Sequence, residues 1–224
     1  MPDSPFIETF PALAALPGLT HGFLLRSPEI DVDCEREEAL ARLESFHGGS
    51  LLDLGIDRAH LATGEQVHGA RVGLVAGLHP ARLHFPGTDA LVTALPGQFL
   101  GVWVADCGAV FFADPKRRVC GIAHSGKKGT ELGIAAATIA GMRAVFGSDP
   151  ADLVVQLAPC IRPPAYEIDF AARILDDCRA AGVPAGQVHD CGTCTSRDLE
   201  RYYSYRIEKG RTGRMFACIG WPAS

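Results

Sequence analysis

Long hydrophobic runs are missing from this 224-residue chain. Its most apolar segment, "FLGVWVADCGAVFFAD" from Phe99 to Asp114, is broken by Gly101, Asp106 and Gly108, which argues against a membrane span and a membrane partner. The opening residues, "MPDSPFIETF", hold no basic stretch followed by an apolar one, so no secretory signal is read there and a cytoplasmic location is expected. An excess of positive charge is also missing. The 21 Lys and Arg stand against 26 Asp and Glu, a net charge of −5, which removes any general attraction to nucleic acid. Aromatic residues make up only 8%, and there is no basic-aromatic stripe, repeat, low-complexity tract or linker. Cysteine is the exception, with eight residues. Without a secretory signal, reduced thiols, metal ligands or a nucleophile are better readings of them than a disulfide scaffold.

A chain of this length, 47% hydrophobic and 21% charged, can bury one sizeable core. Residues 1–30 read as an early strand and a loop, and "CEREEALARLESF" (34–46) as an amphipathic helix. "RAHLATGEQVHGARVGLVAG" suggests two strands punctuated by Gly64 and Gly69. "DALVTA", "QFLGVWVADC", "AVFFADP" and "VCGIAHS" then follow with almost no helix between them, which predicts an antiparallel or mixed sheet. Leu132, Ala136, Ile139, Met142 and Phe146 fall on one helical stripe closed by Gly147. "DLVVQLAP" reads as a buried strand, and "DFAARILDDCRAAG" as a helix capped by Asp169 and ended by Gly182. "SRDLERYYSYRIEKG", capped by Ser196, is expected to be a third late helix, and "RMFACIGW" a final strand. The sum is one α+β domain over 1–224, with helices laid against mixed sheets.

Three residues stand at ends of predicted β-runs, each with glycine directly after it or one residue later: His68 in "EQVHG", Cys107 in "VADCG" and His124 in "IAHSG". Two imidazoles and a thiolate suit zinc, and a fourth position left open would make the site catalytic. Their spacing is not that of a zinc finger, and a lone His or Cys at a strand end is equally a packed or capping residue. The same pair of side chains, Cys107 and His124, would also serve as nucleophile and base of a cysteine hydrolase. After His124 the turn Ser125–Thr130 leads into a helix, where free N–H groups favour an anion and Lys127 and Lys128 add charge. It is not a P-loop, because "GKKGT" lacks the spacing.

In order and spacing, "EQVHG", "ADCGAVFFADP", "AHSGKKGTELGI" and "APCIRPPAYEID" resemble the laccase-domain, or YfiH-like, family. The likeness runs from about Glu65 to "CTSRDLERYYSYRIEKGRTGRMFACIGW". It implies an αββα sandwich and one zinc ion per chain on His68, Cys107 and His124. It also implies phosphorolysis of adenosine, inosine, guanosine and methylthioadenosine, with deamination of adenosine. The partners are then a purine nucleoside and phosphate. Copper fits less well, since blue-copper and trinuclear centres need many more clustered histidines. A divergent member that binds a nucleotide without turnover is the non-enzymatic alternative.

Departures from the family pattern fall beside the metal ligands. Ser125, Gly126, Lys127, Lys128 and Gly129 replace the usual Ala-Gly-Trp-Arg-Gly, so an aromatic lid is lost and an ammonium stands in for a guanidinium fork. Gly108, Ala109 and Val110 follow the cysteine where the family often has a small-apolar-proline pattern, and Arg162 replaces a common glycine in "APCIRPP". Asp106 and Glu65 are the candidates for acid or base. Alternation puts either Glu65 or Gln66 on the side of His68. Arg206 matches a family arginine and is a candidate phosphate or substrate contact, and Tyr166 and Glu167 are possible pocket wall. "CGTC", Cys191 to Cys194, reads as structural, and Cys34, Cys120, Cys160, Cys178 and Cys218 as buried small residues.

Overall fold

The computed structural model describes residues 4–77 and 82–223. Among these, the first half of the chain forms strands β1 (Ile7–Glu8), β2 (Thr20–Leu24), β3 (Leu61–Gly64), β4 (Val72–Leu74), β5 (Leu83–Phe85) and β6 (Ala90–Thr93). The second half adds β7 (Phe99–Val104), β8 (Gly108–Asp114), β9 (Val119–Ser125), β10 (Val154–Leu157), β11 (Val188–Asp190) and β12 (Met215–Gly220). Helices α1 (Pro11–Ala14), α2 (Arg36–Asp53), α3 (Lys127–Glu131), α4 (Ile134–Phe146) and α5 (Phe170–Ala180) complete the order. None of the described helices is long and apolar enough to cross a membrane.

The strands form two six-stranded sheets, ordered β1-β2-β12-β7-β3-β5 and β11-β10-β8-β9-β6-β4. Both are mixed, as expected. β3 runs parallel to β5 and β7 in one, and β4–β6 and β10–β11 are parallel in the other.

Period-two burial stacks the layers. On β8, Ala109, Phe111 and Ala113 point between the sheets, where they meet Leu100, Val102 and Val104 of β7 and Met215, Ala217 and Ile219 of β12. Val110 and Phe112 point the other way, onto Ile134, Ile139 and Met142 of α4 and Ile174 of α5. On the far face of the first sheet, Phe99, Phe216 and Cys218 pack with Leu51 and Leu54 near the end of α2. The result is an αββα sandwich, the layering the motifs implied.

Several elements differ from the sequence reading. Helix α2 runs well past residue 46, because Leu43, His47, Ser50 and Leu51 keep one face buried. The expected helix after His124 is two helices. Gly133, at φ +75°, breaks the chain between them. The buried face of α4 is therefore Ile134, Ala135, Thr138, Ile139 and Met142, and Leu132, placed on the stripe by periodicity, is 55% exposed. Gly147 closes α4 in the left-handed region, and Asp169 caps α5 by accepting from the Ala172 N–H at 3.0 Å.

The third late helix is absent. Residues 195–197 make one 3-10 turn, and the segment to Lys209 continues as turns. Tertiary hydrogen bonds win over helical ones here. The Tyr203 hydroxyl accepts from Ser27 N–H, Glu208 accepts from Ser204 N–H and Thr212 hydroxyl, and Asp106 takes three more donors from the segment. Ser and Tyr are weak helix formers, so little local propensity opposes this.

The chain crosses from the first sheet to the second three times, between β3 and β4, between β5 and β6, and between β7 and β8. His68 lies on the first crossing, Asp89 on the second and Cys107 on the third.

Candidate metal centre

His124 sits near the end of β9, opposite Ala109 of β8. That register brings Cys107, two residues before Ala109, alongside it. His68 does not end a strand as the pattern predicted. It lies in the loop after β3, held at φ +60°. Gln66 (φ +59°) and Asp106 (φ +80°) share this left-handed backbone, a clustering of strain that structures reserve for sites where the surroundings over-determine it.

The three donors come together. One ligand atom each from His68, Cys107 and His124 all lie within 4.8 Å of one another, the one such group among the described residues. The His68 Nε2 to Cys107 Sγ distance is 4.0 Å, and the two imidazole centroids are 4.7 Å apart.

Asp89, just before β6, organises the set and was missed from sequence. Its Oδ1 is 2.9 Å from His124 Nδ1 and accepts from the His68 N–H at 2.9 Å. Its Oδ2 accepts from the N–H groups of Val67 (3.1 Å) and Gly69 (2.8 Å). One buried carboxylate thus pins the loop that carries His68 and orients the His124 ring, leaving Nε2 for a metal. In "GTDALV" nothing separates this aspartate from a turn residue before a strand.

Gly126 sets the closeness of the far wall. A Cβ there would stand 2.6 Å from Cys107 Sγ and 3.5 Å from His68 Cδ2. Only glycine lets the turn after His124 pass so near the sulfur.

The electrostatics suit a cation. Burial alone would push the Cys107 thiol up, but His124 and His68 outweigh it and bring it down to about 6. Burial likewise disfavours charge on His124, yet the Cys107 thiolate and Asp89 raise it to about 9. The sulfur is therefore ionised at neutral pH, and His124 gives up its proton when its Nε2 becomes a ligand.

The donors open into a cleft of about 680 Å³ lined also by Arg36, Gln66, Trp103, Asp106, Tyr166, Tyr205, Arg206, Lys209 and Arg214. Gln66 faces this cleft and clasps the backbone of Trp103, its amide donating to the carbonyl at 2.6 Å and accepting from the N–H at 2.8 Å. Glu65 points away. It accepts from Gly87 N–H at 2.6 Å and lines a smaller cavity of about 290 Å³. Asp106 lines the cleft, but its carboxylate accepts from Thr195 hydroxyl (2.6 Å), Ser204 hydroxyl (3.0 Å) and Arg206 N–H (2.7 Å).

Arg206 reaches the cleft beside Tyr166, its guanidinium carbon 5.4 Å from the ring centroid, and pairs with Glu167 at 3.0 Å. Ser125 is fully buried, its hydroxyl 2.8 Å from that of Thr130. Lys127 and Lys128 are exposed and lie outside the cleft lining. Arg36, Trp103, Tyr205, Lys209 and Arg214 carried no sequence signal, because the fold gathers them from three distant segments. Cys191 and Cys194 are both free thiols, as are the five buried cysteines.

A family model described as multi-copper polyphenol oxidoreductase laccase matches residues 49–175 and 168–222. The chain belongs to this family. It is 30% identical over 194 residues to the purine nucleoside phosphorylase YlmD of Geobacillus stearothermophilus, covering 70% of each chain. It is 34% identical over 197 residues to a purine nucleoside phosphorylase of Deinococcus radiodurans, covering 75% of this chain and 73% of the relative. The crystal structure of the Bacillus licheniformis hypothetical protein YfiH superposes with a TM-score of 0.85 at 26% identity, covering 97% of both chains. The fold and the resemblance read from the motifs are both borne out.

Proposed function

We propose that this protein is a zinc-dependent purine nucleoside phosphorylase, acting on adenosine, inosine, guanosine or methylthioadenosine, with deamination of adenosine as a second activity of the same cleft. One observation carries the reading. A His-Cys-His donor set, its histidine oriented by Asp89, opens into an aromatic and cationic cleft, in a family whose relatives from Geobacillus and Deinococcus are named for this activity.

The donor set fits zinc better than copper. Two imidazoles and one thiolate leave a tetrahedral ion one open position, whereas a multi-copper centre needs several histidine clusters and the described residues hold this one group. When bound, zinc would supply Lewis acidity to an oxygen at that open face. The rest falls to the chain. Phosphorolysis breaks the bond between the base nitrogen and the anomeric carbon and forms one from a phosphate oxygen to that carbon, while the base leaves with a proton. Tyr166 and Tyr205, in the cleft lining, would offer ring faces to a flat purine. Enclosure in the cleft holds phosphate and nucleoside in attack geometry. Asp106, with its oxygens committed to the 195–206 segment, acts as a positioning residue that fixes Arg206 and Tyr205, and Glu65, turned away, supports the Gly87 turn.

Purified protein incubated with adenosine and phosphate should release adenine and ribose 1-phosphate, with inosine reporting deamination, and should carry one zinc per chain by elemental analysis. Cys107→Ser should lose metal and products together. Fully loaded protein that yields no product from any of the four nucleosides would sink the proposal. A cysteine hydrolase with Cys107 as nucleophile and His124 as base is the second reading, favoured by the His124 imidazole beside the Cys107 thiol, whose pKa it helps to hold down. Zinc loading should block alkylation of Cys107 under the first reading, whereas a hydrolase would need that thiol free.

A further inference from the structure

Four cationic side chains line the cleft: Arg36, Arg206, Lys209 and Arg214. Arg206 is neutralised by Glu167 at 3.0 Å. Among the described residues, no carboxylate lies within ion-pairing distance of the other three. The one carboxylate in the lining, Asp106, is saturated by three hydrogen bonds to the chain's own donors, and the Cys107 thiolate belongs to the candidate metal centre. Three cations of the cleft are therefore left without an ion-pair partner among the described residues.

Arg214 makes that imbalance costly. It is only 8% exposed, and its Nη1 donates to the carbonyls of Thr212 and Gly213, both at 2.8 Å. Those bonds fix the guanidinium, whose carbon sits 5.7 Å from the Tyr205 centroid, without cancelling its charge. Burial works against that charge most and the nearby Arg36 adds to the opposition, and together they outweigh the attraction of Cys107, Tyr205 and Asp106. A buried, unpaired cation is expensive unless an anion completes it. Lys209 adds a second sign of construction, since its backbone is held at φ +54° before Gly210 at φ +87°.

We infer that a phosphate dianion is bound by Arg36, Lys209 and Arg214 at the cleft wall, and not by the Lys127–Lys128 turn that the sequence offered. That turn is exposed and outside the lining, and its neighbour Ser125 spends its hydroxyl on Thr130. Arg214 presents a planar fork suited to two phosphate oxygens, and Arg36 and Lys209 close over the third. That the dianion is free orthophosphate, the co-substrate, rests on the phosphorylase reading. The same chemistry would also recognise the phosphate of a nucleoside 5′-monophosphate.

Calorimetric titration of the zinc-loaded protein with orthophosphate, and separately with adenosine 5′-monophosphate, distinguishes the sources. Orthophosphate should bind, and Arg36→Met and Lys209→Met, both at exposed positions, should each weaken it by about tenfold or more, the loss expected of a charge-assisted hydrogen bond. Arg214→Lys, which keeps charge but loses the fork, should weaken it too. The KM for phosphate should rise in step while that for nucleoside moves less than about twofold. Unchanged orthophosphate affinity in both Arg36→Met and Lys209→Met, or a loss in the Lys127→Met/Lys128→Met double variant, would overturn the inference. Monophosphate binding tighter than orthophosphate would overturn the assignment to the free anion. Orthophosphate binding with this dependence, in a protein that cleaves no nucleoside, would retain the anion site and remove the phosphorylase.

Discussion

Asp89 shows how much one carboxylate can carry. Its two oxygens hold three consecutive amides and one imidazole nitrogen, so Asp89→Asn keeps the shape but replaces an acceptor oxygen with an NH2 that faces N–H groups. Metal affinity should fall about 10- to 100-fold, measured by competition with a chromophoric chelator, while the metal-free protein stays folded by circular dichroism. Unchanged affinity would mean that His124 is oriented by its strand alone. Gly126→Ala tests the opposite wall. The added methyl meets Cys107 Sγ at 2.6 Å, so either the thiolate or the turn must shift, and metal affinity should drop with little change in melting temperature. The three donors that the structure gathers stood out in the sequence by residue type, but their spacing left them open to packing or capping roles, and only the family likeness joined them into one set. Asp89 and Arg214 did not stand out, because an aspartate before a strand and an arginine in "TGRM" look the same whether they face solvent or a buried site.

At the scale of elements, the segment 195–210 hangs on Asp106. Removing that carboxylate in Asp106→Ala strands the Thr195 and Ser204 hydroxyls and the Arg206 N–H. An orphaned buried donor costs about 1–3 kcal/mol, enough to loosen the segment without melting the sheets. Hydrogen exchange should quicken across residues 195–210 and leave β8 and β9 protected; uniform protection would contradict the positioning role. The same segment explains where pattern reading failed. The α5 helix was visible because Asp169, the apolar stripe and Gly182 are local signals, and local signals decided it. The tyrosine-rich stretch after Ser196 carries a helix-like pattern that distant partners, Ser27 and Asp106 above all, override. The break at Gly133 is the reverse case: a glycine inside a periodic run, easily read as tolerated, that takes φ +75° and divides the helix.

For the molecule as a whole, acid should be the weak side. His21 and His47 are buried, and burial lowers each to about 4 from an ordinary 6.5. His21 Nε2 accepts from the Phe10 N–H at 2.8 Å, and the His47 ring packs 5.0 Å from Trp103 with neither nitrogen hydrogen-bonded. The unfolded chain takes up a proton at each site below 6.5 while the folded one does not. Stability from this source is thus full above pH 6.5 and is lost as pH falls towards 4, by on the order of 3 kcal/mol per histidine. Denaturant titrations across that interval should show the decline, and His47→Phe should flatten it; a pH-independent midpoint would argue against both assignments. The layering was legible from the β-rich centre and the family likeness, whereas the strand order was not, since pairing between distant segments leaves no local trace.

Strand order also bears on how the protein is made. β12 is the third strand of its six-stranded sheet, seated between β2 and β7. Until Gly220 has been synthesised, two strands more than seventy residues apart in the chain, β2 and β7, wait with open hydrogen-bonding edges. The sheet that carries one side of the three crossings therefore closes late, and a nascent chain halted before Met215 would hold all three donors of the candidate metal centre yet expose the edges that invite aggregation.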